Sequence, residues 1–272
     1  MVHINYGGLI SMMDIYECLR PDTMIYLTRD RSTKKGFFYK DEKPELFVKD
    51  FNHAEFIGEE LCNIRNLRCA HYFVVGCDTY DLKRTIRCGD IDRYFKYGIA
   101  SYDFKDPKKK YKLLADYKLS GNDKFHTMLS KTDSDRNREE LYYDMLELLA
   151  LDIYMGQTDR TDRNIAFELD KDNNMRLSPL YDFEYSVNPS LIGKRTIQGF
   201  SDLIFLNDLK IIKDFIRKHP EFGDILKEYL DIDLCDVIYR AYAKRGLGIP
   251  DSKWQYYEEF EDDRQKVIKK II

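Results

Sequence analysis

The chain has one tryptophan, 7 prolines and 14 glycines among its 272 residues. So little proline and glycine excludes a collagen-like or linker-dominated chain. Long apolar runs are also missing: no stretch approaches the ~18 apolar residues of a membrane-spanning helix, so no membrane association is expected. The opening Met1-Val2-His3-Ile4-Asn5 has no basic segment followed by an apolar one, so no secretory leader is expected. An excess of basic charge is absent as well. Lys and Arg number 44 against 48 Asp and Glu, for a net charge of −4, which leaves no global basic face to grip nucleic acid. Cysteine pairs of the CxxC kind are missing: Cys18, Cys62, Cys69, Cys77, Cys88 and Cys235 fit no common zinc spacing. Reduced thiols and a cytoplasmic location follow as expectations.

The composition that is present, 43% hydrophobic and 34% charged, is globular, and a chain of this length buries a core without staples. Its 21 tyrosines and 16 phenylalanines suit half-buried packing with a polar tip. The first half alternates short apolar runs with turns. Met24–Thr28, Gly36–Tyr39 and Glu45–Lys49 are predicted strands, with turns at Asp30–Gly36 and Asp41–Pro44. Ala54, Phe56, Ile57, Leu61, Ile64 and Leu67 then recur at helical spacing. Two more strands are expected at His71–Val75 and Gly98–Tyr102, which makes the first part β-β-β-α-β-β. The polar stretches Lys105–Lys110 and Ser130–Arg136 read as surface connections, with Lys108, Lys109 and Lys110 solvated. A buried helix follows, with Asn137 and Glu140 as a capping box and Gly156 as its stop. Ile165–Leu169 and Met175–Leu177 flank a turn and make a hairpin; from Asp208 onward the periodicity is helical.

The informative residues lie between that helix and the end of the hairpin. Asp159 and Asn164 are five apart on one loop, and the hairpin returns Asp182, 23 residues beyond Asp159, beside them. Two carboxylates and a carboxamide in this arrangement suit phosphoryl transfer. The transferred group is densely anionic, so a hard cation with few protein oxygen ligands must bridge it. A further carboxylate, off the metal, must orient the attacking hydroxyl. Asp159 fits that task, with Asn164 and Asp182 as metal ligands.

The run Gly156-Gln157-Thr158-Asp159-Arg160-Thr161-Asp162-Arg163-Asn164 resembles the G-x-x-D-x-x-x-x-N loop of the HipA-like serine/threonine kinases. Leu177-Ser178-Pro179-Leu180-Tyr181-Asp182 resembles their L-[ST]-P-x-Y-D metal motif, and Ile99–Phe104 is similar to the strand that enters their hinge. The sharp motifs cover residues 156–182 and the expected elements residues 24–250.

The resemblance implies an α+β, two-lobed, protein-kinase-like fold, with a small β-rich N-lobe over residues 1–103 and a mainly helical C-lobe over 104–272. It implies ATP and Mg²⁺ as cofactors, a cleft between the lobes and a hinge near Asp103 and Phe104. Lys49, at the end of the third strand, is expected to contact the phosphates. Glu55, with Glu59 as the alternative one turn on, is expected to hold that lysine. The implied reaction is phosphorylation of a Ser or Thr hydroxyl on a protein substrate, and many such kinases are toxins paired with an antitoxin protein. One departure stands out: the Asp30–Gly36 loop holds a single glycine, with Ser32 and Thr33 at its centre, where backbone N–H groups should approach phosphates. Ser32 and Thr33 are assigned to the nucleotide side and, by resemblance, are autophosphorylation candidates. A kinase-like binding module without catalysis, and a kinase acting on a lipid or small-molecule hydroxyl, are the alternatives. Arg160 has two readings, a phosphate contact or a partner for a carboxylate.

Overall fold

A computed structural model describes residues 24–26, 35–40, 43–50, 52–76, 97–102, 104–106, 108–120, 123–132, 134–188, 201–204, 209–249 and 251–272. Ser32, Thr33 and Asp103 lie outside the described residues.

The first part holds β1 (Met24–Tyr26), β2 (Lys35–Lys40), β3 (Lys43–Asp50), α1 (His53–Ile64), β4 (Tyr72–Gly76) and β5 (Tyr97–Tyr102). Its strands form one antiparallel sheet in the order β1-β2-β3-β5-β4. The expected β-β-β-α-β-β order is what the described residues show. The turn expected at Asp41–Pro44 is tighter, because β3 already begins at Lys43. Pro44 pairs with Tyr39, and the register shifts between Phe38 and Tyr39. Such an irregularity suits a residue with no N–H to give to a ladder. α1 starts where the Asn52 side chain accepts from Ala54 N at 2.9 Å, the usual N-cap bond. It buries Phe56, Ile57 and Leu61.

The second part begins with β6 (Lys110–Leu113), a 3₁₀ turn (Leu114–Tyr117) and α2 (Lys124–Leu129). α3 (Asp135–Met155), β7 (Ala166–Leu169), β8 (Met175–Leu177), α4 (Leu209–Lys218), α5 (Pro220–Leu230), α6 (Leu234–Ala243) and α7 (Asp251–Ile271) follow. β6 completes a three-stranded sheet, β6-β7-β8. Lys110 is thus a strand residue rather than loop, and Lys109 Nζ reaches Glu168 Oε1 at 3.0 Å.

α3 is the buried helix, with Leu141, Met145, Leu148, Leu149 and Ile153 in the core. Its cap is Ser134, whose hydroxyl accepts from Asn137 N at 3.1 Å, so the helix starts before the capping box read from the sequence. Asn137 is buried instead and bonds both ways with Met175, Nδ2 to O at 2.7 Å and Oδ1 from N at 2.8 Å. Its amide reproduces a strand partner for the start of β8. Gly156 ends α3 at φ 60°, a left-handed stop that glycine adopts without strain. Among the described residues no helix is long and apolar enough to cross a membrane.

Candidate active site

Lys49 is the centre of the site. It sits near the end of β3, 2% exposed, and its ammonium pairs with three carboxylates. Glu55 Oε1 bonds it from the first turn of α1, Asp182 Oδ1 lies at 2.9 Å and Glu184 Oε2 at 3.5 Å. Burial alone would push Lys49 down, but Glu55 first, then Asp182 and Glu184, outweigh it and hold the lysine above its ordinary range. Lys49 therefore carries a full charge at any physiological pH.

The choice between Glu55 and Glu59 is settled by geometry. Glu59, one turn on, is committed elsewhere: Arg245 Nη2 pairs with it, and Tyr72 N donates to its Oε2 at 2.8 Å. Gly58 sets how closely α1 approaches the segment after Asp182. A Cβ built there would lie 2.4 Å from Phe183 Cγ, so the ring of the residue after Asp182 occupies the space a side chain would need. Helix and motif pack directly, and Glu55 meets Lys49 as a result.

Asp182 has a left-handed backbone, φ 62°, uncommon outside glycine though tolerated by aspartate. The peptides on both sides of it are held. Arg160 Nη1 donates to Tyr181 O at 2.7 Å, Gln157 Nε2 donates to Asp182 O at 3.0 Å, and Asp182 N donates to Tyr72 Oη at 3.2 Å. Gln157 also accepts from Asp159 N at 3.2 Å, so one buried amide binds the loop of Asp159 to the loop of Asp182. Asn164 Nδ2 donates to Asp159 O at 2.7 Å, and its Oδ1 accepts no hydrogen bond from any described residue. The structure thus brings Lys49, Glu55 and Asp182 into contact, and ties Asp159 and Asn164 to them through Gln157.

Arg160 is fully buried. Its Nε donates to Asp152 at 3.1 and 3.2 Å and its Nη1 to Asn164 O at 3.3 Å. Of its two readings, the carboxylate partner is the one observed. Burial pushes the Asp152 carboxyl up to about 6, with Arg160 acting against the shift.

Beside this cluster opens a cavity of about 360 Å³, lined by Phe47, Lys49, Tyr102, Phe104, Tyr181 and Asp182 among others. Phe104 and Tyr181, both in its lining, stack on each other, ring centres 5.6 Å apart. Its lining combines aromatic rings with the charged groups of Lys49 and Asp182, which suits a flat apolar group carrying an anionic tail.

The donor set also suits a hard divalent cation. Carboxylate oxygens of Glu55, Asp182 and Glu184 lie within 4.8 Å of one another, and Asn164 Oδ1 has no protein partner among the described residues. All are oxygen donors, the kind Mg²⁺ takes. Sequence reasoning passed over Glu184, although its place two residues after Asp182 was a usable signal. It also passed over Gln157, because a single amide after a helix stop has no distinctive pattern.

No family model matches this sequence, and no curated protein matches it. Solved structures do. HipA of Shewanella oneidensis MR-1, in a toxin–antitoxin complex with HipB and operator DNA, aligns at a TM-score of 0.59 and 12% identity, over 91% of this chain. This chain spans 62% of that HipA's length. The proinflammatory kinase CtkA of Helicobacter pylori aligns at 0.59 and 13% identity, over 87% of this chain and 92% of its own. The chain has a HipA-like, two-lobed kinase fold.

Proposed function

We propose that this HipA-like chain is an ATP- and Mg²⁺-dependent kinase that phosphorylates a Ser or Thr hydroxyl of a protein. The observation that carries it is Lys49, paired with Glu55 and Asp182, in the wall of a cleft that Phe47, Phe104 and Tyr181 also line. In this reading the lobes divide near residue 103 and the nucleotide base lies between Phe104 and the far wall of the cleft. Lys49 contacts the phosphates and Glu55 keeps it in place. Asn164 and Asp182 would hold the metal, and Glu184 adds a carboxylate to their set. A bound Mg²⁺ neutralises charge on the phosphates. Asp159 orients the acceptor hydroxyl and takes its proton as the oxygen attacks the γ-phosphorus and the bond to the leaving nucleoside diphosphate breaks.

Asp159 is aimed by backbone bonds to Gln157 and Asn164, and such fixed geometry is what positioning contributes to catalysis. Ser32 or Thr33 is proposed as an autophosphorylation site, and an antitoxin-like protein as a partner, the latter because HipA of Shewanella is found with HipB. The described cysteines Cys62, Cys69 and Cys235 are free thiols, which supports a reducing, cytoplasmic setting.

The test is incubation with MgATP, read by intact mass and site mapping, of wild type and Asp159→Asn. A Mg²⁺-dependent gain in wild type that falls by ~10²–10⁴-fold in the variant is the expected result. Nucleotide-dependent stabilisation without any transfer, to itself or to a panel of protein, lipid and small-molecule acceptors, would instead favour the binding-module alternative.

A further inference from the structure

One peptide sets the direction in which the Asp182 side chain leaves the backbone. It joins Tyr181 to Asp182 and is gripped at both edges. Arg160 Nη1 donates to Tyr181 O at 2.7 Å, and Asp182 N donates to Tyr72 Oη at 3.2 Å. A peptide is a rigid plane, and the chain turns only at the Cα on either side of it. Bonds on opposite edges therefore fix the plane. Gln157 Nε2 holds the next plane through Asp182 O at 3.0 Å. With both planes held, φ stays at 62° and the carboxylate turns only about its own side-chain bonds. Arg160 and Gln157 belong to the loop after α3, whereas Tyr72 comes from β4, in the sheet that carries Lys49. We infer that Tyr72 is a positioning residue, whose hydroxyl aims the Asp182 carboxylate at the divalent cation. The role rests on the cleft being the metal and nucleotide site proposed above, and it adds a residue that the proposal leaves out.

Tyr72 is itself anchored from outside its sheet. The described strands run β1-β2-β3-β5-β4, so β4 is at an edge, where N–H and C=O groups need partners beyond the ladder. A charged pair supplies them. Tyr72 N donates to Glu59 Oε2 at 2.8 Å, and Tyr72 O accepts from Arg245 Nε at 3.2 Å and Nη2 at 3.0 Å. Glu59 and Arg245 also pair with each other, and the Arg245 guanidinium lies 4.1 Å from the Phe56 ring centre. The backbone from which the tyrosine ring projects is thus tied to α1 and to the residue just past α6.

The ring is buried and lines the cleft, with Lys49 Nζ 5.9 Å from its centre, inside cation–π range. Packing and the lysine would be served equally well by phenylalanine. The hydroxyl is the part that packing does not explain, and its observed partner is the peptide of a metal-ligand candidate. Groups one bond removed from a metal ligand set its orientation and commonly govern metal affinity.

The test removes the hydroxyl and keeps the ring, in Tyr72→Phe. Tyr154→Phe is the matched control: its hydroxyl donates to Ile232 O at 3.0 Å, and Tyr154 is not in the cleft lining. Thermal unfolding would be followed at fixed ADP while Mg²⁺ is titrated, and transfer from ATP would be measured over the same Mg²⁺ range. The expected result is a Mg²⁺ midpoint raised about 10-fold in Tyr72→Phe by both readouts, and unmoved in Tyr154→Phe although that variant also loses a buried hydrogen bond. A Tyr72→Phe midpoint equal to that of wild type would overturn the inference. So would an equal shift in Tyr154→Phe, or a Tyr72→Phe chain with no cooperative transition in the absence of ligand, since the hydroxyl would then serve stability alone. Each of these leaves the reading of the cleft standing. Wild type with neither Mg²⁺-dependent stabilisation by ADP nor transfer would end that reading, and the role of Tyr72 with it.

Discussion

Replacing Arg160 with methionine should unfold the site from beneath. The guanidinium is fully buried, paired with Asp152 and bonded to the carbonyls of Asn164 and Tyr181. Removing one partner of a buried pair costs ~3–5 kcal/mol, and the stranded carbonyls keep the loss at the upper end. At ~2–4 °C per kcal/mol for a chain of this size, the expected fall in Tm is on the order of 10 °C. Phosphoryl transfer should fall with it at temperatures where the variant is still folded, because Tyr181 O and Asn164 O flank the two metal-ligand candidates.

The loss should also depend on pH. In wild type the folded-state pKa of Asp152 is about 6, above the unfolded value of ~3.9. The folded state then binds more protons between these values, so this group's contribution to stability declines as pH rises through that window and is level above it. Arg160 opposes the upward shift; without it the window extends above pH 6. The variant should therefore keep losing stability from pH 6 to 8 while wild type does not, by ~1.4 kcal/mol for each unit of extension. Urea unfolding at pH 5.5, 7 and 8.5 measures the gap. A variant within 1 kcal/mol of wild type that is instead weakened in MgATP binding would refute this reasoning and return Arg160 to the phosphates.

Gly58→Ala should destabilise the chain by ~1–3 kcal/mol and lower transfer, since the new methyl meets the Phe183 ring at 2.4 Å; urea unfolding with a kinase assay checks both. Glu55→Gln should cut turnover by about 100-fold with modest loss of stability. Glu59→Gln should do the opposite, because it strands Arg245, which is 7% exposed; comparable turnover in the two variants would sink the distinction. Glu184→Gln should raise the Mg²⁺ concentration for half-maximal activity by about 10-fold, measured by Mg²⁺ titration at fixed ATP. His219, pushed down by burial and by neighbouring His126, is protonated more readily in the unfolded chain. Stability should thus be lost as pH falls below ~6.5, and Tm profiles of wild type and His219→Gln should converge at acid pH.

How far the residues disclosed this site follows from what kind of information each carries. Asp159, Asn164 and Asp182 are legible because their spacing is fixed by a helix stop, a short loop and a hairpin, all local events. Lys49 and Glu55 are legible in part, since strand end and helix start can be read, but the choice of Glu55 over Glu59 rests on Arg245, 186 residues away in sequence. Arg160 is ambiguous for a different reason: Asp152 is only eight residues earlier, on α3, but the loop alone does not show whether the guanidinium turns to that helix or to a phosphate. The start of α3 was misplaced because Asn137 is a good cap by type, whereas its amide is used by β8. Gly58 was invisible as a site residue; a glycine inside a helical pattern signals close approach but not to what.

The charges of the cluster bear on the proposed ligands. Among the described residues the Lys49 ammonium pairs with three carboxylates, Glu55, Asp182 and Glu184, so carboxylates outnumber the cation they share. Clustered carboxylates away from water are costly, and an anionic nucleotide alone would add negative charge beside them. Lys49 therefore cannot by itself make the cleft receptive to phosphates. In the proposed reading Asp182 and Glu184 would hold a divalent cation, which would offset their charge and leave Lys49 for the phosphates. Gln157 and Arg160 hold Asp182 in its left-handed backbone whether or not a ligand is present, so the protein has already met the conformational cost of the site. What remains for the ligand to supply is charge, and that is why cation and nucleotide are expected to bind as one unit.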